Sequence, residues 1–197
     1  MEIELEPTLA PPGAGLPKVE LLIARMLFAL RRRKGNRESF DAHFQREREL
    51  IHKLAARCDA ESGAQRVLIP RVRGMEDSSR NWSVWMTLDH LRIVNGGITR
   101  TIASLGKGVT PPGKASTAAV KPSSSASASV AGVHEKSCDT LLETAAAIPE
   151  LKTAAKYQHP WFGPLNAEGW LALAGGHMEI HRVQIERILE GLHTRAS

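Results

Sequence analysis

Apolar residues recur with a helical period along most of the chain, and the clearest row lies near its end. From residue 170 onward the apolar positions are Trp170, Leu173, Ala174, Ile185, Ile188 and Leu192. This spacing predicts a helix with one face turned inward. Asn166 stands just before the row, and its side-chain oxygen can accept hydrogen bonds from the first turn, so we predict that the helix begins there.

The same period predicts further helices over about 18–34, 38–58, 80–105 and 134–148. Gly35 and Asn36 separate the first two, which we interpret as one split helix. Ser78 or Ser79 can cap the helix over 80–105. The pattern therefore predicts four long helical units that can share one core.

The segments between these helices are rich in residues that interrupt regular structure. Residues 1–17 hold four prolines and should form an extended or disordered arm. Residues 59–80 should be an irregular connection, and residues 106–132 a long loop of Ser, Ala, Pro, Gly and Lys that cannot bury a core. That loop could be a lid or a passive crossover. The remainder is predicted to be one domain, 18–192, followed by a short tail, 193–197.

Composition supports an all-helical class. Hydrophobic residues make up 42% of the chain, with few β-branched residues outside short patches. The two cysteines have no CxxC spacing, which argues against a disulfide framework or a cysteine-based zinc site. The acidic start MEIELE and the lack of a long apolar run predict a cytoplasmic protein that has no membrane partner.

The net charge of +5 includes one basic cluster, formed by Arg31, Arg32, Arg33, Lys34 and Arg37. Such a cluster could contact phosphates. The interpretation we favour is a solvated helix end whose cations offset the helix dipole. Nucleic-acid binding is therefore a secondary hypothesis.

Three polar residues interrupt the apolar row of the last helix: His177, His181 and Gln184. Burying them without partners would be costly, because each polar group would lose its water. Histidines four residues apart project side by side and can converge on one ion. An HxxxH pair alone is a weak signal, since surface histidines and hydrogen-bonded core histidines show the same spacing.

Two further positions could complete such a site. His90 lies in the apolar stretch WSVWMTLDHL, so it is either a hydrogen-bonded core histidine or a third ligand. His43 and Glu47 are one turn apart, and they form either a partly buried pair or groups that reach the pocket opposite the last helix. His134 and His159 are interpreted as structural.

The stretch WSVWMTLDHL, followed by HPWFGPLNAEGWLALAGGHMEIHRVQI, resembles the DinB-like superfamily of metal-binding four-helix bundles. The resemblance covers roughly residues 18–192. It implies an up-down-down-up bundle whose second and third helices are joined by a long crossover, here residues 106–132. It also implies that His90, His177 and His181 hold one divalent ion, zinc, nickel or iron.

The resemblance further implies an activity, because three neutral imidazoles leave coordination positions open to water or substrate. Members of this family include transferases that use small cellular thiols. The leading hypothesis is a metal-dependent transferase of a low-molecular-weight thiol, or a hydrolase, with Gln184, His43 and Glu47 as candidate residues around the ligands. The alternatives are a non-catalytic, stress-related metal or ligand-binding module, and a nucleic-acid binder acting through residues 31–37. A homodimer is also expected.

Overall fold

The structure, a computed structural model, describes residues 7–196 and is predominantly helical. Its helices are α1 Lys18–Lys34, α2 Arg37–Ala55, α3 Val84–Gly106, α4 Val130–Ala146 and α5 Ala167–Ala196. Two short antiparallel ladders lie between them, and they pair β1 Val67–Leu68 with β2 Asn81–Trp82 and β3 Tyr157–His159 with β4 Gly163–Leu165. Within residues 7–196, no helix combines the length and apolar character needed to cross a bilayer.

Four of the helices enclose the core. α3 packs against α4 and α5, and α2 packs against α5. Their fully buried side chains are mostly aliphatic and include Phe44, Ile51, Leu88, Leu91, Ile102, Leu105, Leu141, Leu171 and Met178. The inward row predicted for the last helix contributes to this core, with Ile185 and Ile188 fully buried. The predicted helical class is therefore right, and α2 to α5 make up the bundle.

Local capping explains where three helices begin. In α2, the Asn36 side chain accepts from the Ser39 amide at 3.0 Å and the Ser39 hydroxyl accepts from the Asn36 amide at 2.9 Å, a reciprocal pair. At α5, Asn166 Oδ1 accepts from the Gly169 amide at 2.9 Å, which confirms the predicted start. The cap of α3 was predicted wrongly: Ser83 accepts from the Met86 amide at 3.2 Å, because the residues before it form β2.

α1 does not belong to the bundle, so the predicted split first helix is corrected to α2 alone. None of its residues is buried. An ion pair between Glu20 and Arg71 holds one end, and Arg25 Nε donates to the Trp161 carbonyl at 2.6 Å near the middle. The Phe28 ring lies 4.5 Å from the Phe162 ring, centroid to centroid. α1 is therefore a cover held across one side of the bundle by a few contacts.

The arm and the crossover are tied to the bundle by acidic side chains. Asp77 accepts from the Ala10 amide at 2.8 Å, and Glu76 accepts from the Gly13 amide at 3.0 Å. Glu76 also accepts from the Thr117 hydroxyl at 3.0 Å. Residues 7–17 are non-helical, as predicted, while residues 1–6 lie outside the described part of the chain.

The chain end differs from the prediction. α5 continues to Ala196, so the segment predicted as a tail from residue 193 is helical as far as the structure describes it. Gly191 lies within α5 and does not end the helix. The connection between α3 and α4 spans 107–129 and contains only a short 3-10 turn.

Candidate metal centre

Three histidine rings from two helices meet inside the bundle. His90 lies on α3, and His177 and His181 lie one turn apart on α5. The His90 and His177 Nε2 atoms are 3.1 Å apart, and one ring nitrogen from each residue falls within 4.8 Å of the others. The structure thus brings together the three residues singled out from the sequence.

This spacing fits a shared ion. Zinc–nitrogen bonds of about 2.0–2.1 Å place two nitrogens on one ion roughly 3.0–3.4 Å apart, depending on the coordination geometry. The 3.1 Å separation of His90 and His177 lies in that range. Without an ion, a separation this short is that of a hydrogen bond in which one of the two Nε2 atoms carries the proton.

Hydrogen bonds fix how two of the rings are turned. His90 Nδ1 donates to the Val120 carbonyl at 2.6 Å, and His181 Nδ1 donates to Gln184 Oε1 at 2.6 Å. Gln184 is itself held, because its Nε2 donates to the Ser79 carbonyl at 2.7 Å. Each of these two rings therefore carries its proton on Nδ1 and presents the Nε2 lone pair to the centre. This arrangement is typical of metal-binding histidines.

Burial keeps the rings neutral. It lowers the pKa of His90 to about 4 and the pKa of His181 to about 3. The pKa of His177 lies well below its usual value, first because the ring is buried and then because of His181 and His90 beside it. At neutral pH all three side chains are unprotonated bases, the form that binds a cation.

His43 and Glu47 take part in a different network. Glu47 is 2% exposed and accepts from Arg182 Nε at 2.6 Å and from Arg46 at 3.0 Å. His43 Nε2 lies 3.3 Å from Glu179 and 3.7 Å from Glu47. Among the described residues, no recorded hydrogen bond, ion pair or ring contact joins either side chain to the three rings. Their geometry is that of an ion-pair network between α2 and α5.

Two other histidines make structural contacts. His134 Nε2 lies 3.6 Å from Cys138 Sγ on α4. Burial raises the pKa of that thiol to about 12, so it stays protonated and is a poor nucleophile. His159 Nδ1 accepts from the amides of Trp161 and Phe162 at 3.1 and 3.3 Å and so stabilises the β3–β4 turn.

The basic cluster is partly engaged within the protein. Arg31 pairs with Glu179 at 3.2 Å, and Arg37 donates to the Pro149 carbonyl at 3.2 Å. The Arg32 guanidinium lies 5.9 Å from the Phe28 ring centroid. These contacts give the cluster a role in holding α1 and α2 in place.

A large cavity opens beside the three rings. Its volume is about 1390 Å³, and its wall includes His90, His177 and His181. The remaining wall comes from all the helices except α4, from the segment 74–82, from the crossover and from the β3–β4 hairpin. A small molecule that enters the cavity therefore reaches the histidine centre.

Two contributors to the centre were missed in the sequence. The Val120 carbonyl orients His90 from 30 positions away, inside the low-complexity crossover. Trp82 stacks on His181, with centroids 6.2 Å apart and planes 7° from parallel, and so shields the ring from water. The carbonyl could not be found from the sequence, because every residue has one. Trp82 could have been considered, because it stands in the same apolar stretch as His90.

The sequence also shows the family to which the chain belongs. A sequence model of the DinB superfamily matches residues 43–185, which span α2 from its second turn, all of α3 and α4, and most of α5. The chain belongs to the DinB superfamily. No curated protein is significantly similar to it in sequence.

The DinB match includes all three histidines and leaves out α1 and the arm. Among solved structures, the chain is similar to the crystal structure of TT2238, a four-helix bundle protein, with a TM-score of 0.55 and 19% identity. The alignment covers 76% of this chain and 97% of that one. At this identity the likeness supports the four-helix bundle and nothing about chemistry. α1 is thus an addition to the family's matched core.

Proposed function

We propose that this DinB protein binds one divalent ion, zinc, nickel or iron, through His90, His177 and His181, and uses it as an enzyme. The observation that carries the proposal is the meeting of three neutral imidazoles, two buried and that of His177 partly buried, at the wall of a large cavity. Closed structural zinc sites use four protein ligands, whereas catalytic sites use three and leave a position free. We also propose that the four bundle helices, α2 to α5, run in up-down-down-up order.

The bound ion would supply Lewis acidity, lowering the pKa of a coordinated water or thiol or polarising a carbonyl. The protein supplies the rest. Gln184 and the Val120 carbonyl hold two of the rings in orientation. Trp82 and the aliphatic core exclude water from the rings. The cavity gives a substrate access to the side of the metal site that has no protein ligand.

The proposed reaction is transfer of a low-molecular-weight thiol to an electrophile, or hydrolysis of a small substrate. The resemblance to the DinB-like superfamily supports a small thiol as the group transferred. The set of three protein ligands is compatible with either reaction. Glu47 is left out of the proposed machinery because it belongs to the network between α2 and α5. His43 contacts the same network but also lines the cavity, so it stays a candidate residue beside the metal site.

The enzyme proposal is tested with metal-loaded protein on two panels. One contains small thiols with 1-chloro-2,4-dinitrobenzene, and the other contains 4-nitrophenyl esters. We expect turnover on at least one panel with zinc, nickel or iron(II), its loss on chelation, and its return when the metal is restored. Stoichiometric metal without turnover on either panel would support a non-catalytic binding module and overturn the enzyme proposal.

A further inference from the structure

One wall of the cavity is a continuous run of aromatic rings, referred to below as the aromatic wall: Phe28, Phe162, His159, Trp170 and Tyr157. Neighbouring centroids along the run lie 4.5, 5.0, 5.5 and 5.8 Å apart. All five side chains line the cavity together with the three metal-site histidines. Stacked aromatic rings favour a flat or elongated apolar ligand.

Polar groups on this surface lack partners. Trp170 is 4% exposed, and its Nε1 has no hydrogen-bond partner among the described residues. The Ser78 hydroxyl, which also lies in the cavity wall, likewise has no hydrogen-bond partner among the described residues. Buried indole and hydroxyl donors normally find an acceptor, and an unmet one costs about 1–3 kcal/mol. A ligand carrying an oxygen acceptor would satisfy them.

Cationic side chains also line the cavity. Among them are Lys34, Arg100, Lys114 and Lys121, which come from the end of α1, from α3 and from the crossover. The lining holds six Lys and Arg residues and two carboxylates, Glu76 and Glu179, so its charge is net positive. The cavity therefore joins an apolar surface to an excess of positive charge, with the histidine centre also in its wall.

We propose that the cavity binds an amphipathic organic acid, with its apolar body against the aromatic wall and its anionic group toward these cations. The inference rests on the proposed function, since this ligand would be the electrophilic substrate. The volume of about 1390 Å³ exceeds the roughly 300–1,000 Å³ typical of ligand pockets, which leaves room for a small thiol beside it.

The test is fluorescence titration of metal-loaded protein with 1-anilinonaphthalene-8-sulfonate, an aromatic acid, and with the uncharged N-phenyl-1-naphthylamine. We expect one saturable site per chain. Phe162→Ala should weaken both probes about tenfold, whereas Arg100→Gln should weaken only the acid. Val133→Ala and Lys53→Gln, at positions outside the cavity, should change neither.

Failure of this proposal can be told apart from failure of the metal site. His181→Ala should lose metal and keep probe binding, whereas Phe162→Ala should keep metal and show the weakened probe binding. Affinity that is unchanged in Phe162→Ala would assign the signal to another surface and overturn the inference. Equal effects of Arg100→Gln on both probes would overturn the assignment of the anionic group.

Discussion

His181→Ala should purify with almost no divalent metal, whereas the wild type should carry close to one ion per chain. Loss of one of three ligands leaves two nitrogens, and the geometry that favours a single ion is lost. Elemental analysis of the two proteins, purified in parallel, measures the difference.

Two variants separate loss of a ligand from loss of structure. Gln184→Leu removes the hydrogen bond that orients His181 and should weaken metal binding about 10–100-fold while the bundle folds. His52→Ala changes an exposed histidine, 67% exposed, outside the centre and should keep full metal content. A folded His181→Ala protein that retains one ion would contradict the assignment of ligands.

Glu47→Ala should destabilise the protein by about 3 kcal/mol and leave its metal content unchanged. The carboxylate is 2% exposed and binds both Arg182 and Arg46. Removing one member of a buried ion pair leaves the other charge without compensation, which typically costs 3–5 kcal/mol. We place the value at the lower end because Arg182 is 19% exposed and keeps Glu186 as a partner. Urea unfolding gives the difference in free energy.

Glu186→Ala is the matched control for this network. The change removes the second carboxylate that binds Arg182, and the Glu186 side chain is 39% exposed. Because exposed ion pairs contribute little, the free energy of unfolding should fall by less than about 1 kcal/mol. Loss of metal in Glu47→Ala without unfolding would place Glu47 in the metal centre and contradict our separation of the two networks.

The sequence predicted much of this architecture because its signals are local. The helical period and the Asn166 cap located α5 to within a residue at its start. The polar interruption of an apolar row singled out His177 and His181, since burial of unpaired imidazoles requires partners. His90 stood out for the same reason, as a polar ring in an otherwise apolar stretch.

What the sequence did not predict depends on contacts between distant segments. Apolar residues on all sides of α1 looked like part of the bundle, but one row stays exposed because α2 alone fills that position. Ser83 caps α3 because β2 pairs with a strand 13 to 15 residues earlier. His43 and Glu47 were ambiguous because their partner Arg182 lies 135 positions from Glu47, on another helix.

X-ray absorption at the metal edge of the loaded protein tests the central claim most directly. We predict a first shell with three imidazole nitrogens at about 2.0–2.1 Å, completed by exchangeable oxygen ligands. The count should fall by one imidazole in His90→Ala, provided that variant still binds the ion. A shell containing sulfur from the protein, or one with imidazole scattering unchanged in His90→Ala, would contradict a centre built from these three histidines.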